Sequence, residues 1–328
     1  MGVRSHFVSV VAAVLLVTAG SMQAAQAEPL RIRYALWPGY GPLFFAQERG
    51  WFEESGLEVE LIEMEEHTAA FAGLAAGQVD AVLGVPPDAA AFSHPGEEPL
   101  ACALALTESA GGDGVLATKD IGSIADLKGR SVAFLHGSLS QFYLNVLLNQ
   151  VGLTEADVEV VDLTAEDAVT ALLLQEIDAA VTWEPWLSQG KAAEHVHVLT
   201  DSSQQPGLII DCLITTASVF QERKAEFQAL ADIWFKAVDY VEAHPEEGIP
   251  VMARRVGGGL DDPKAFAEAL ETIRFFDREE HRLYFGTSEK PGAMYETAQH
   301  AIDVFSSLGV LEFDLSPSDI VIHGILDE

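Results

Sequence analysis

Positively charged side chains are scarce in this chain of 328 residues: 18 lysines and arginines stand against 51 aspartates and glutamates. The formal net charge is −33 at pH 7. Such a polyanion repels the phosphates of nucleic acid and the headgroups of anionic lipid, because all of them carry the same sign of charge. The composition disfavours both as partners, and we expect a protein that binds no nucleic acid.

Long apolar runs are missing beyond the N-terminal region, where no stretch has the roughly 18 uninterrupted apolar residues of a membrane helix. At the N-terminus, Arg4 precedes an apolar run over 7–17, and 25–27 reads A-Q-A, the A-x-A pattern of a cleavage site. This arrangement predicts a secretory signal peptide over residues 1–27, cleaved after Ala27. The mature chain of about 300 residues is long enough for two domains.

Cysteine is rare as well. Cys102 and Cys212 each lie in an apolar run that is typical of a strand. A disulfide is permitted in an exported protein, but we expect buried free thiols. No metal site is expected, because the H-x-H pair of His195 and His197 has no C-x-x-C or H-E-x-x-H motif beside it.

The common catalytic motifs are also absent. The chain has no G-x-S-x-G elbow, no G-x-x-x-x-G-K-[ST] loop and no G-x-G-x-x-G after a strand. The glycine-rich run at 111–114 has a different spacing, and we interpret it as a turn. We therefore expect a protein that is not an enzyme and needs no cofactor.

Short apolar runs alternate with helical patterns, which indicates a parallel α/β architecture. The pattern begins at 31–36 and starts again at 131–134. Two linking stretches, 107–114 and 201–207, flank the second unit. We expect two α/β lobes joined by two crossovers, with a ligand cleft between them. The predicted limits are 28–112 plus 207–328 for lobe one and 113–206 for lobe two.

Two loops are placed to contact a ligand. In open α/β sheets, ligands lie beyond the carboxyl ends of the strands, where helix N-termini present unpaired N–H groups. Residues 37–42 follow the first strand of lobe one, and 137–141 follow the first strand of lobe two. Helix capping alone is an alternative role for the serines. The expected ligand contacts from these loops, with His67 after the second strand, are Trp37, Tyr40, His67, Ser138, Ser140 and Gln141.

Three acidic residues stand out against their surroundings. Asp211 interrupts the apolar run 208–214, Asp113 lies in the first crossover, and Glu184 follows Trp183 in a W-E-P-W sequence. A carboxylate in such a run is costly to bury unless it is paired. Pairing with lysine or arginine is one explanation, but those residues are few. We therefore place the three carboxyl groups in the cleft, with Trp183 beside them.

Several segments, taken in order, are similar to a known family. The run W-P-G-Y-G-P-L-F-F-A-Q-E-R-G-W-F at 37–52 resembles the opening of the nitrate/sulfonate/taurine family of periplasmic binding proteins. The likeness continues through G-Q-V-D-A at 77–81, D-L-K-G-R-S-V-A at 126–133 and D-A-A-V-T-W-E-P-W-L at 178–187. It implies a type II periplasmic-binding fold that closes on its ligand. It also implies a periplasmic protein that delivers a small molecule to the permease subunits of an ATP-binding-cassette importer.

The taurine-binding branch of this family is similar at the acidic positions. Its acidic residue after the crossover aligns with Asp113, its strand aspartate with Asp211, and its Ser/Thr-rich helix start with 138–141. Glu184 stands where that branch has a small residue, and Gln141 where histidine is common. The resemblance and the carboxyl groups together favour a taurine-like aminosulfonate or a related amine, bound by a monomer.

Other functions remain open alternatives. The ligand of this binding protein could instead be nitrate, an aliphatic sulfonate or a thiamin pyrimidine precursor. Relatives of the fold include enzymes of thiamin pyrimidine and menaquinone synthesis, and a sensor module is a third class. The signal peptide and the lack of a cysteine-rich iron-binding run disfavour the enzymes.

A surface this rich in carboxylates has two interpretations: it keeps the protein soluble, or it is adapted to high salt, where screening relieves the mutual repulsion of the carboxylates. Adaptation to high salt predicts a melting temperature that rises between low and molar potassium chloride. Differential scanning calorimetry across that range tests the expectation, and maximal stability at low salt would contradict it.

Overall fold

The computed structural model describes residues 28–64, 67–287 and 289–326, so the predicted signal peptide lies outside the described residues. The strands are β1 (Leu30–Tyr34), β2 (Val59–Glu63), β3 (Ala81–Gly84), β4 (Leu100–Ser109), β5 (Asp113–Thr118), β6 (Ser131–Phe134), β7 (Glu159–Asp162), β8 (Ala179–Trp183), β9 (Val196–Asp201), β10 (Ile210–Thr216) and β11 (Ile273–Phe275). In the described ranges, no helix combines the length and apolar character needed to cross a membrane.

Helices pack around these strands. They are α1 (Gly41–Glu48), α2 (Trp51–Glu54), α3 (His67–Ala75), α4 (Pro86–Ala91), α5 (Leu139–Gln150), α6 (Ala165–Leu173), α7 (Trp186–Lys191), α8 (Ala217–Glu222), α9 (Lys224–Ala243), α10 (Pro245–Val256), α11 (Pro263–Leu270), α12 (Arg278–Phe285) and α13 (Ala293–Leu308). Short 3-10 helices occur at Pro38–Tyr40, Ile124–Leu127, Glu155–Asp157, Ser202–Gln204 and Pro317–Asp319.

The strands form two separate sheets. The first has the order β11-β4-β10-β3-β1-β2, and the second has the order β7-β6-β8-β5-β9. Strands β5 to β9 therefore form a sheet of their own, between the two parts of the chain that build the first sheet. This arrangement agrees with two α/β units, while the exact lobe limits at 112/113 and 206/207 stay a prediction.

Both sheets are mixed: each has the parallel strands that the sequence indicates, and antiparallel strands beside them. In the first sheet β1 pairs in parallel with β2 and β3, but β10 is antiparallel to β3 and β4. In the second, β6 pairs in parallel with β7 and β8, but β5 is antiparallel to β8 and β9. The chain enters β5 and β10 from the other sheet. These strands therefore lack the crossover helix that returns a chain to the parallel direction.

Two short connections join the sheets, and they lie side by side. Strand β4 extends to Ser109 and β5 begins at Asp113, so the first crossover is only the turn 110–112. The hydroxyl oxygens of Ser109 and Ser202 are 2.8 Å apart, and the Gly111 N–H donates to Ser202 Oγ at 2.8 Å. Since Ser202 belongs to the returning connection, these bonds tie the two crossovers into one joint.

The C-terminal helix α13 connects the two units on a second side. Its Phe305 packs against Phe142 of α5, with ring centroids 6.4 Å apart, and both side chains are fully buried. One cluster of buried apolar residues consequently contains side chains from both sheets. The sheets are held by apolar packing as well as by the crossovers.

A disulfide joins the two cysteines, which corrects the expectation of free thiols. Cys102 of β4 and Cys212 of β10 are bonded, and their Cα atoms are 5.6 Å apart. The antiparallel pairing of these strands brings the residues within the range of about 4.4–6.8 Å that a disulfide requires. The sequence does not reveal this pairing, because the two residues are 110 positions apart.

Removing this disulfide should destabilise the protein. A bond that closes a loop of 110 residues restricts the unfolded chain strongly, and such bonds contribute about 2–4 kcal/mol. We expect a Cys102→Ala/Cys212→Ala variant to lose about that much free energy of unfolding, measured by urea denaturation. Wild-type protein unfolded in the presence of a thiol reductant is the control. Equal unfolding free energies for the oxidised wild type and the variant would contradict the expectation.

Candidate ligand-binding site

A small cavity lies between the two sheets and has a volume of about 60 Å³. By the same measure one water molecule needs about 10–15 Å³, so the cavity is suited to a small ligand. Its walls come from the ends of strands and the starts of helices in both sheets. The lining residues are Ala35, Trp37, Tyr40, His67, Leu83, Gly84, Val85, Asp88, Asp113, Ser138, Leu139, Trp183 and Asp211.

The mixed topology brings these residues to one edge of each sheet. Residues after β1 and β3 lie at the carboxyl ends of parallel strands, where α/β proteins bind ligands. Strand β10 runs the opposite way, so Asp211 near its beginning reaches the same edge. The register shows this directly, since Cys212 pairs with Gly84 at the end of β3.

Asp211 is held by hydroxyl groups. Tyr40 Oη donates to Asp211 Oδ1 at 2.9 Å, and Thr107 Oγ1 donates to Asp211 Oδ2 at 2.6 Å. Burial raises the pKa of Asp211 to about 7; these hydrogen bonds oppose the rise, and the nearby charge of Asp88 adds to it. Burial also raises the pKa of Tyr40 well above its ordinary value, so its phenol keeps the proton that it donates.

Asp113 reaches the cavity from the opposite sheet. It is the first residue of β5 after the crossover, and its N–H donates to Ser109 Oγ at 3.0 Å. Burial raises the pKa of Asp113 to about 8, a hydrogen bond with Ser109 opposes the rise, and the charges of Asp211 and Glu184 increase it. The joint between the sheets therefore sets the position of this carboxyl group.

Two tryptophans form flat walls. Trp37 is 5% exposed, and its Nε1 donates to Thr107 Oγ1 at 3.4 Å. Its indole ring packs directly against two glycines. A Cβ atom on Gly39 would lie 2.2 Å from Nε1 of the ring, and a Cβ atom on Gly112 would lie 2.6 Å from its Cη2, so neither position has room for a side chain. Trp183 Nε1 donates to the Leu36 carbonyl of the first sheet at 3.1 Å. Trp183 thus spans the cleft.

Asp88 is a lining residue that the sequence analysis missed. It is buried, its Oδ2 accepts the Val85 N–H at 3.1 Å, and its Oδ1 is 3.2 Å from Nε2 of His67. The available signal was the P-P-D sequence at 86–88, which opens a helix directly after the strand 81–84. The same helix-start rule that selected the other two loops would have selected this one.

The structure brings most of the predicted contacts together but not all of them. Ser138 lines the cavity and also caps α5, accepting the Ser140 N–H at 3.1 Å. Ser140 and Gln141 are buried but do not line it. The Gln141 side chain accepts the Gly137 N–H at 2.8 Å and donates to Glu155 at 3.0 Å.

Glu184 also does not line the cavity. Its carboxylate accepts the Ser188 hydroxyl at 2.8 Å and the Ser188 N–H at 3.1 Å. Burial raises the pKa of Glu184, while those hydrogen bonds and the charge of Lys191 oppose the rise. Glu184 acts on the cavity through its charge, and its predicted contact with a ligand stays a prediction.

The electrostatic character of the cavity is acidic. Asp88, Asp113 and Asp211 line it, and no arginine or lysine does so within the described residues. The expected alternative, in which a cation of the chain pairs with Asp211, is therefore replaced by the hydroxyl bonds from Tyr40 and Thr107. Carboxyl groups between aromatic walls are suited to a small ligand with positive charge.

Comparisons with known proteins agree with the fold. The crystal structure of the periplasmic aliphatic sulphonate binding protein SsuA from Escherichia coli superposes with a TM-score of 0.72 at 21% identity. The match covers 90% of this chain and 92% of that one. The two-sheet α/β structure is thus that of the periplasmic binding proteins, and the predicted fold class is confirmed.

The family follows from the sequence match. A family model described as NMT1/THI5 like matches residues 37–248, well over half of the chain. The chain belongs to this family, and the predicted resemblance is confirmed. A protein of Brucella abortus (strain 2308), named as a binding protein, is 24% identical over 306 residues, covering 91% of this chain and 92% of that protein. The taurine-binding periplasmic protein of Escherichia coli (strain K12) is 26% identical over 233 residues, or 70% of this chain and 66% of that protein.

The raised pKa of Asp113 predicts a pH-dependent effect of its neutralisation. Aspartate in the unfolded chain titrates near pH 4, at about 3.9, whereas burial raises the folded pKa of Asp113 to about 8. The folded state therefore holds this proton more tightly, and the resulting stability is lost as the pH rises from about 4 to about 8. The asparagine of an Asp113→Asn variant cannot ionise, so the variant does not lose this stability at high pH. We therefore expect the melting temperature of the variant minus that of the wild type to be more positive at pH 9 than at pH 5.

Thermal unfolding of the ligand-free protein at both pH values measures this effect. Asp239→Asn, on the exposed side of α9, is the matched control and should shift the melting temperature equally at both. An Asp113→Asn shift that is the same at pH 5 and pH 9 would refute the assignment.

Proposed function

We propose that this protein is a periplasmic solute-binding protein and not an enzyme. It captures a small amine-containing or zwitterionic molecule and delivers it to the permease subunits of an ATP-binding-cassette importer. The observation that carries the proposal is the cavity itself, in which three carboxyl groups and two tryptophans surround a space without a lysine or arginine among the described residues. A ligand with a positive nitrogen supplies the missing charge.

The geometry provides enough interaction energy for such a ligand. A hydrogen bond between charged partners contributes about 1.5–3 kcal/mol, and Asp113 and Asp211 offer acceptors from opposite walls. Contact of an ammonium group with the face of Trp37 or Trp183 adds about 0.5–2 kcal/mol. Two or three such contacts bring the binding free energy towards roughly −8 kcal/mol, which corresponds to a micromolar dissociation constant.

An aminosulfonate accounts for both the cavity and the names of the relatives. Its ammonium group would lie among the carboxyl groups. Its acidic group would lie at the start of α5, a helix of 12 residues capped by Ser138, where unpaired N–H groups favour an anion. The names of the taurine-binding and sulphonate-binding relatives support this choice of chemistry. The predicted contacts of His67, Ser140, Gln141 and Glu184 belong to the same proposal.

A plain anion is the second candidate, because one of the relatives is named for aliphatic sulphonates. Nitrate or a simple sulfonate would meet Asp88, Asp113 and Asp211 without a lysine or arginine among the described lining residues, and the imidazole of His67 is directed at Asp88. Repulsion between like charges disfavours this arrangement. The two candidates predict opposite effects when a cavity carboxylate is neutralised.

The test is a ligand panel applied to the wild type and to one substitution. Native mass spectrometry first identifies any co-purifying molecule, and calorimetry then compares taurine, ethylamine, ethanesulfonate and nitrate. We expect taurine or ethylamine to bind, and Asp211→Asn to weaken that binding about tenfold to a hundredfold, the loss of one charged hydrogen bond. Asp239→Asn is the control and should bind as the wild type does.

Two outcomes would overturn the proposed ligand class. One is stabilisation by nitrate or ethanesulfonate alone. The other is stronger binding by Asp211→Asn, as expected if the ligand were an anion. Circular dichroism and the melting temperature of the variant establish that it is folded.

A further inference from the structure

Asp113 of β5 and Asp211 of β10 come from different sheets. Both line the same cavity, and their side chains are 4% and 6% exposed. Neither forms an ion pair with a lysine or arginine in the described parts of the chain. Two ionised carboxylates buried at one cavity are disfavoured, because each loses much of its hydration and repels the other. Near neutral pH, a proton or a bound cation on one of them relieves this cost.

The surrounding charged groups do not provide that cation. Around Asp211 are the Tyr40 phenol, Asp88 of α4 and, beyond Asp88, the His67 ring of α3. His67 is directed at Asp88, so any charge on it serves that carboxylate first.

Around Asp113 the neighbouring groups are also acidic or neutral. They are Asp211, Glu184 after β8, and the phenol of Tyr143 on α5, whose pKa the charge of Asp113 helps to raise. The charge of Lys191 on α7 acts on Glu184, where it partly opposes the rise in pKa that burial causes. None of these described groups therefore neutralises Asp113 and Asp211, and the neutralising charge has to be a proton or a cation from solution.

We propose that the Asp113–Asp211 pair binds either a proton or the positive nitrogen of the ligand, so that capture of one cation releases about one proton. This inference rests on the proposed function, and it adds to that function a coupling between cation binding and proton release. The burial that raises the pKa values of the two groups to about 8 and about 7 supports it, since both then exchange protons near neutral pH. Binding of a cation is correspondingly favoured by rising pH.

The pH dependence has a definite form. Below about pH 7 both carboxyl groups hold protons. For each proton that a bound cation displaces, the affinity for the cation rises about tenfold with each pH unit. Above pH 8 both are ionised without a ligand, so the affinity levels off and proton release falls towards zero. An anion such as ethanesulfonate should show the reverse dependence, with tighter binding at acid pH.

Proton release can be counted directly. Ethylammonium chloride is titrated into unbuffered protein held in a pH-stat at pH 5, 7 and 9, with calorimetry at the same pH values giving the fraction bound. Taurine, which shares the aminoethyl group, and ethanesulfonate, which lacks the nitrogen, complete the matched set. We expect about one proton released per ethylammonium or taurine bound at pH 5 and 7, and almost none released by ethylammonium at pH 9.

Two variants separate this coupling from ordinary binding. Asp113→Asn should still bind ethylammonium, but with proton release at pH 7 reduced by at least half. Asp239→Asn should match the wild type in both respects. Binding at pH 7 without proton release would overturn the coupling and leave the proposed function standing. Failure of both amines to bind, at concentrations where nitrate or ethanesulfonate binds, would overturn the proposed function as well.

A measurement on the ligand-free protein tests the same inference without any ligand. The carboxyl carbons of Asp113 and Asp211, labelled with ¹³C and assigned through Asp→Asn variants, should titrate between pH 6 and 9 in NMR spectra. Titration of both resonances below pH 5 would overturn the inference whatever the binding results.

Discussion

Asp113 and Asp211 line one cavity that gives them hydroxyl donors, while no lysine or arginine among the described residues lines it. Burial makes their charged forms costly, and the surrounding network only partly offsets that cost. Tyr40, Thr107 and Trp37 form a bonded chain that orients Asp211. The cavity is consequently acidic in character.

The same two connections that join the sheets also carry this pair. Asp113 is the first residue of β5 after the outgoing crossover, and Asp211 is the second residue of β10 after the return. The bonds among Ser109, Gly111 and Ser202 hold those connections together. Because one carboxyl group belongs to each sheet, any rotation of one sheet against the other changes their separation.

The relatives share this fold more closely than they share sequence, with a TM-score of 0.72 at 21% identity for the sulphonate-binding protein. A fold at that distance supports the class of protein, while the ligand is decided by the side chains that line the cleft. Here the acidic side chains among them are Asp88, Asp113 and Asp211, set in a lining that is otherwise mostly apolar. The names of the relatives include both taurine and aliphatic sulphonates, so the acidic lining is what favours the aminosulfonate in the proposal above.

The sequence by itself determined the α/β class, the restart of the pattern and the positions of Trp37, Tyr40, Asp113 and Asp211, because periodicity and a carboxylate in an apolar run are local signals. It did not determine the direction of β5 and β10, the pairing of Cys102 with Cys212, or the presence of Asp88 in the cavity. It also placed Ser140, Gln141 and Glu184 in the cleft, whereas their side chains do not line it. Strand pairing and side-chain direction depend on contacts between residues far apart in the chain, so only the tertiary structure decided them.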